Sequence, residues 1–252
     1  MTDALVALRR EGHVLVVTMQ RESKRNAVDR DLADAISSAL DELDDNPELW
    51  AGVITGGSSF FSAGSDLRAN GDYSTERGGE YGIIRRHRRK PLIAAVEGFA
   101  LGGGLEIVLA CDLVVAADNA RFGLPEVSIG VIPTCAGLFR APRAFPLNLA
   151  RELILTGDPI HAARAHAAGF VNVLSPPGGA LAAALALAER ISRNAPLSVQ
   201  ACLAAIDEQL AADVDLGWQV TGRALEAISG TADSVEGVQS FLEKRPPHWT
   251  AR

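Results

Sequence analysis

The chain has 252 residues, is 48 % hydrophobic and 22 % charged, and carries a net charge of −7 with a pI near 5.3, a composition that describes a folded protein with a large core and excludes a disordered one. The acidic balance supplies no field to gather nucleic acid or an anionic membrane surface, so chemistry on a soluble small molecule is favoured. Cys111, Cys135 and Cys202 are odd in number and set among small or apolar neighbours, a pattern that suits reduced thiols in a cytoplasm and predicts neither disulfides nor a metal site.

Met1 to Glu11 is short and mixed, without the basic start and apolar run of a signal peptide, and the longest apolar run is broken by Glu106 and Asp112, so no membrane span is read. Val14 to Met19 is a β-branched run that predicts a buried strand. Leu32, Ala35, Ile36, Ala39, Leu40 and Leu43 then recur at helical spacing, and Asn46-Pro47 predicts the end of that helix. Val53-Ile54-Thr55, Leu92 to Val96 and Leu113-Val114-Val115 repeat the strand pattern, so strands alternate with helices and imply an α/β layered fold. Pro176-Pro177-Gly178-Gly179 marks a break. Beyond it, Leu181 to Arg190, Leu197 to Leu210, Leu216 to Ile228 and Val235 to Leu242 read as helices of an appendage whose apolar faces cover either the core or neighbouring subunits.

Three small-residue turns stand among these elements. Phe61-Ser62-Ala63-Gly64-Ser65-Asp66-Leu67 follows the strand around Ile54, with Asp66 expected to cap a turn. Gly102-Gly103-Gly104 lies between a predicted strand and a helix, where its N–H groups can hold an oxyanion. It carries Glu106, the one charge between Glu97 and Asp112, and Glu126 follows twenty positions later in Phe122-Gly123-Leu124-Pro125-Glu126. An ionisable group in such apolar surroundings needs a partner, a shifted pKa or a function.

Other readings of these residues fail. Ile107 stands where a dinucleotide fingerprint needs glycine, and Leu105 where a P-loop needs lysine. Ser128 lacks the leading glycine of a nucleophile elbow. His161 and His166 are five apart and do not share a helical face as a metal pair would. Arg85 to Lys90 is the one dense basic run; without interleaved aromatic residues it reads as a solvated helix end rather than an RNA site.

Taken together, these residues resemble the crotonase family, whose best-known members are enoyl-CoA hydratases. The likeness rests on Arg25-Asn26-Ala27, Phe61 to Leu67, Ala94 to Glu106, Ala110-Cys111-Asp112, Phe122 to Glu126, Gly130 to Pro133, Leu155-Thr156-Gly157, Ser234 to Gly237 and Glu243-Lys244-Arg245. It implies a spiral of ββα units over residues 1–195 holding the active site, and a helical trimerisation region over 196–252, with trimers that pair into hexamers. It also implies an acyl-CoA thioester as substrate and no further cofactor, metal or nucleic acid.

The resemblance assigns the thioester oxygen to the backbone N–H groups of Ser65 and Gly103. It places Arg25, Ala27, Ala63, Asp66, Leu67 and Arg68 against substrate and CoA, with Lys244 reaching a neighbour's CoA phosphates. Glu106 and Glu126 match the two acids of the hydratases, and chemistry supports the pair. Adding water to a 2-trans-enoyl thioester needs one group to activate water at C3 and another to deliver a proton at C2. Two carboxyls in a dry pocket should titrate as a coupled pair, one ionised and one protonated. The alternatives are an isomerase using Glu126, or a non-catalytic member that binds acyl-CoA or RNA. Pro133-Thr134-Cys135-Ala136-Gly137 departs from the Pro-Gly-Ala-Gly-Gly usual in the family's hydratases, so either a narrower acyl pocket or an altered helix N-terminus is expected there, and with it a different substrate. Asn70 to Gly82, the stretch expected to line it, carries no readable code.

Overall fold

Strand and helix nuclei sit where the apolar patterns place them. The computed structural model describes residues 4–69, 71 and 73–250; Asn70 and Asp72 of the expected pocket-lining stretch lie outside the described residues. Strands β1 (Val6–Glu11), β2 (Val14–Met19) and β3 (Ala51–Thr55) are followed by the short pair β4 (Ser74–Thr75) and β5 (Gly79–Glu80). Then come β6 (Leu92–Val96), β7 (Phe99–Leu101), β8 (Leu113–Ala117), β9 (Arg121–Gly123), β10 (Ile160–His161) and β11 (Val173–Ser175). The helices are α1 (Arg30–Asp45), α2 (Gly103–Leu109), α3 (Gly137–Ala144), α4 (Leu147–Thr156), α5 (Ala162–Ala167), α6 (Ala180–Ser192), α7 (Pro196–Ile228) and α8 (Ala232–Glu243).

Six strands form one sheet in the order β1-β2-β3-β6-β8-β11, parallel except for the β1–β2 hairpin, and β10-β9-β7 form a second. Each turn of the chain contributes one strand to each sheet and then a helix: β6, β7 and α2 make one such unit, and β8, β9 and α3 the next. That is the spiral of ββα units. β3 and β6 are buried along their whole length, which suits parallel strands covered on both faces.

Helix α1 is set by the pattern read from sequence. Asp29 caps it by accepting from the Leu32 N–H at 3.1 Å, and Leu32, Ile36, Ala39, Leu40 and Leu43 are buried against the sheet. On the other face of the six-stranded sheet, Ala180, Ala184 and Ala188 of α6 pack on Val14, Val53, Ile93 and Val115. Glu97 is buried and fixes the start of α6 by accepting from Gly178 N–H and Ala180 N–H at 3.0 and 2.9 Å.

The C-terminal region differs from expectation in one respect. The two helices expected over 197–210 and 216–228 are one uninterrupted helix of 33 residues, α7. The intervening Ala211 to Asp215 contains no glycine or proline to stop it. The basic run also differs. It is not a solvated helix end: Arg86 and Lys90 are buried and Arg88 is nearly so. Arg86 is bonded to Ser37, Asp41 and Asp44 of α1, Arg88 to Asp112, and Lys90 to the carbonyls of Leu43 and Asn46.

Candidate active site

Two backbone segments close one side of the site by zipping together. Val28 N–H donates to Gly64 O at 2.7 Å, Asp66 N–H to Val28 O at 2.8 Å, and Ala63 N–H to Arg25 O at 2.9 Å. In this extended segment Gly64 and Asp66 turn toward Val28, so the intervening Ser65 N–H faces the other way. Asn26 locks the arrangement from beneath: fully buried, it donates to the carbonyls of Gly56 and Phe61 and accepts from the Arg21 N–H. Arg21 in turn ties the same two segments by ion pairs to Asp29 and Asp66.

The loop then abuts the start of α2. Gly102 takes φ 54°, turning the chain out of β7, and Gly103 is the first residue of the helix, where an N–H has no intrahelical acceptor. Gly64, at φ 95°, is required here, because a Cβ on it would stand 2.8 Å from Gly103 N. Ser65 and Gly103 are thus brought side by side, each with a backbone donor outside the regular ladders.

Glu106, one turn into α2, is 2 % exposed, and its Oε1 accepts from Gly137 N–H at 2.9 Å at the start of α3. Cys135, two residues before Gly137, also favours the ionised form of Glu106 through its backbone N–H and its thiol. Burial pushes Glu106 up to about 7, against the pull of these donors. Glu126 lies on the 3-10 turn Pro125–Ile129. The residue is half-buried, yet its Oε2 is out of solvent contact and has no hydrogen-bond partner. Burial first, and then repulsion from Glu106, push it up to about 8. The two carboxyls therefore titrate as one pair near neutrality. The better-solvated microstate has Glu106 ionised, where donors await the charge, and Glu126 protonated.

Around Glu106 lies a polar wall that sequence reasoning missed in part. Tyr81 is 1 % exposed and its hydroxyl is 2.7 Å from Ser65 Oγ. Tyr73 lies tilted against it with ring centroids 4.8 Å apart. Burial and the charge of Glu106 hold the Tyr81 phenol well above its ordinary range, and burial holds Tyr73 at about 12, so both stay neutral. Cys135 is buried, and burial with the Glu106 charge pushes its thiol upward. Thr134 and Cys135 lie just before α3, with Thr134 Oγ1 3.8 Å from Cys135 Sγ. A signal for the tyrosines was available: the chain has two, and both fall within Asn70 to Gly82.

The remaining expected residues separate into two groups. Arg25, Ala27, Ala63, Asp66, Leu67 and Arg68 all lie on the zipped loop pair, with Arg25, Ala63 and Arg68 exposed at its rim. Asp66 acts as the expected turn cap, its Oδ1 accepting from Arg68 N–H at 3.1 Å. Lys244 is elsewhere, exposed at the end of α8 with φ 56°. His161 and His166 are both exposed, and His166 Nδ1 pairs with the Val171 carbonyl at 2.7 Å.

A family model described as enoyl-CoA hydratase/isomerase matches residues 9–252. The chain belongs to that family. Its relatives include the enoyl-CoA hydratase EchA19 of Mycobacterium tuberculosis, 37 % identical with 99 % of this chain and 97 % of the relative covered. The 2,3-dehydroadipyl-CoA hydratase of Escherichia coli is 35 % identical over the full length of both. Among solved structures, EchA1_1 of Mycobacterium paratuberculosis superposes with a TM-score of 0.92 at 40 % identity, covering 99 % of each chain. A carnitinyl-CoA hydratase of Mycobacterium avium does so with a TM-score of 0.91, also at 40 % identity and over both whole chains.

Proposed function

We propose that this chain is an enoyl-CoA hydratase, adding water across the 2,3 double bond of a 2-trans-enoyl-CoA thioester to give the 3-hydroxyacyl-CoA. The observation that carries the reading is the unequal environment of two coupled carboxyls beside two backbone donors. The thioester oxygen would accept from the Ser65 and Gly103 N–H groups, which draws electrons from C3. Glu106, ionised, takes a proton from water as the oxygen bonds to C3, and the displaced π electrons move onto the thioester oxygen. When they return, C2 takes the proton of Glu126. One water has then been added, and the proton on Glu106 returns to Glu126 between turnovers.

In the same reading the rim of Arg25, Ala27, Ala63, Asp66, Leu67 and Arg68 receives CoA, and Lys244 reaches the CoA of a neighbouring subunit. Residues 1–195 are the catalytic core and 196–252 the assembly region of a trimer or a pair of trimers. The exposed Leu197, Ile206, Leu216 and Leu225 of α7 support such an assembly. Function in the cytoplasm fits the reduced thiols.

Loss of the conjugated thioester absorbance of crotonyl-CoA and longer 2-enoyl-CoAs, with label from heavy-oxygen water appearing at C3, is the test. Glu106→Gln and Glu126→Gln should each lower the rate on the order of 10²-fold or more while CoA-thioester binding persists. A product with a moved double bond and no label would replace the reading with an isomerase using Glu126, and near-normal hydration by Glu106→Gln would overturn the two-acid mechanism.

A further inference from the structure

Tyr81 has no part in the proton transfers above, yet it touches both residues that supply the oxyanion donors. Its hydroxyl is 2.7 Å from Ser65 Oγ. On the other side it lies so near α2 that a Cβ on Gly103 would stand 2.4 Å from the phenol oxygen. Glycine at 103 is thereby required by the tyrosine as much as by the turn.

The backbone around Tyr81 is held to place that hydroxyl. Tyr81 takes φ 55°, a left-handed conformation that a bulky residue adopts only where its surroundings dictate it. Its N–H donates to Tyr73 O at 2.8 Å. Gly82 packs on α1 so tightly that a Cβ would stand 2.3 Å from Ala33 O. Arg86, at the end of the same loop, is clamped to α1 by Ser37, Asp41 and Asp44.

We propose that Tyr81 is a positioning residue whose hydroxyl, held between Ser65 and Gly103, sets the separation and aim of the two oxyanion donors. This rests on the hydratase reading of the site. Ser65 and Gly103 belong to different elements, a loop and a helix, so nothing covalent within reach fixes the gap between their N–H groups. Gly64 lets them approach closely, since a Cβ there would meet Gly103 N at 2.8 Å. Tyr81, wedged between them, limits how far that approach goes. Preorganised donors act most on the charge that develops in the transition state, so loosening them lowers kcat and leaves KM nearly unchanged.

The experiment deletes each end of the Ser65–Tyr81 hydrogen bond separately. Tyr81→Phe keeps the ring and its packing, and Ser65→Ala keeps the backbone donor. Each should lower kcat for hydration about tenfold, less than the 10²–10³ lost with a whole donor, with KM within about twofold of the parent. The double variant should be no slower than either single one, because both remove the same contact. Turnover is not needed for a second readout: the absorption band of a bound cinnamoyl-CoA shifts to the red as its carbonyl is polarised, and both variants should show a smaller shift.

Unchanged kcat in Tyr81→Phe, losses that multiply in the double variant, or an undiminished red shift would overturn the proposal. If Tyr81→Phe does not fold, Ser65→Ala carries the same two readouts. If the parent protein hydrates no enoyl-CoA yet still red-shifts the bound thioester, the hydratase reading fails while the positioning role stands or falls on the shift alone.

Discussion

Ionising Glu126, whose buried Oε2 has no partner, costs the folded protein stability that a neutral glutamine would recover. Both Glu106 and Glu126 are raised above the ordinary carboxyl value of 4.5, to about 7 and about 8. Between those limits the folded protein holds protons that the unfolded chain has released, so stability from this pair is present below pH 4.5 and is lost as pH rises through 7 to 8. Glu126→Gln removes the share of this titration that belongs to Glu126. Its Tm should exceed that of the parent at pH 8, by about 2–4 °C for each kcal/mol recovered, and the gap should close toward pH 4.5. A gap in thermal melts that does not depend on pH would show that the carboxyl is not raised. These two residues were legible in the sequence because a charge in an apolar run is itself a signal. Tyr81 was legible only as one of two tyrosines in the stretch expected to line the pocket; its place is set by a left-handed turn and by Gly82 against α1, neither of which any periodicity encodes.

At the scale of elements, periodicity found what the core holds and misjudged what it does not. α1 and the strands of the six-stranded sheet bury a regular face, and their extents follow the apolar pattern. α7 buries only Gly217 and Thr221 within the protomer, so its apolar spacing lapses at Ala211 to Asp215 while the helix continues on propensity alone. The basic run misled for a different reason: charge density says nothing about acids that the fold supplies from elsewhere. Asp41 and Asp44 precede it by some forty residues and meet Arg86 through α1. Arg86→Ala would leave Asp44, 4 % exposed, buried without its cation. A loss of about 3–5 kcal/mol in unfolding free energy is expected from denaturant titration. Arg89→Ala, on an exposed neighbour, should stay within about 0.5 kcal/mol. Equal midpoints for the two variants would restore the solvated reading of the run. Because the same loop carries Tyr81, milder substitutions at Arg86 should weaken catalysis before they unfold the protein.

Over the whole molecule, the C-terminal region is divided between a helix that meets the site and one that faces outward. α8 lies on the turn bearing Glu126 so closely that a Cβ on Gly237 would stand 2.3 Å from Ile129 O, and one on Gly130 2.5 Å from Asp233 O. α7 touches the core at its middle, where Phe139 packs on Gly217 and Arg85 lies 3.5 Å over the Trp218 ring. Away from that contact it exposes Leu197, Ile206, Leu210, Leu216, Val220 and Leu225, with Leu197 77 % exposed. So many large apolar side chains on one helix are a liability in a monomer and an interface in a closed assembly. Sedimentation of the full chain should therefore give a trimer or hexamer of 26.5 kDa subunits. Removal of 196–252 should uncover Phe139 and the turn of Glu126, abolish assembly and produce aggregation. CoA affinity should fall with it, and Lys244→Ala in the intact chain should weaken CoA binding without dissociating the subunits. A monodisperse monomer that keeps full activity at high dilution would defeat this expectation and leave α7 with its apolar face in water.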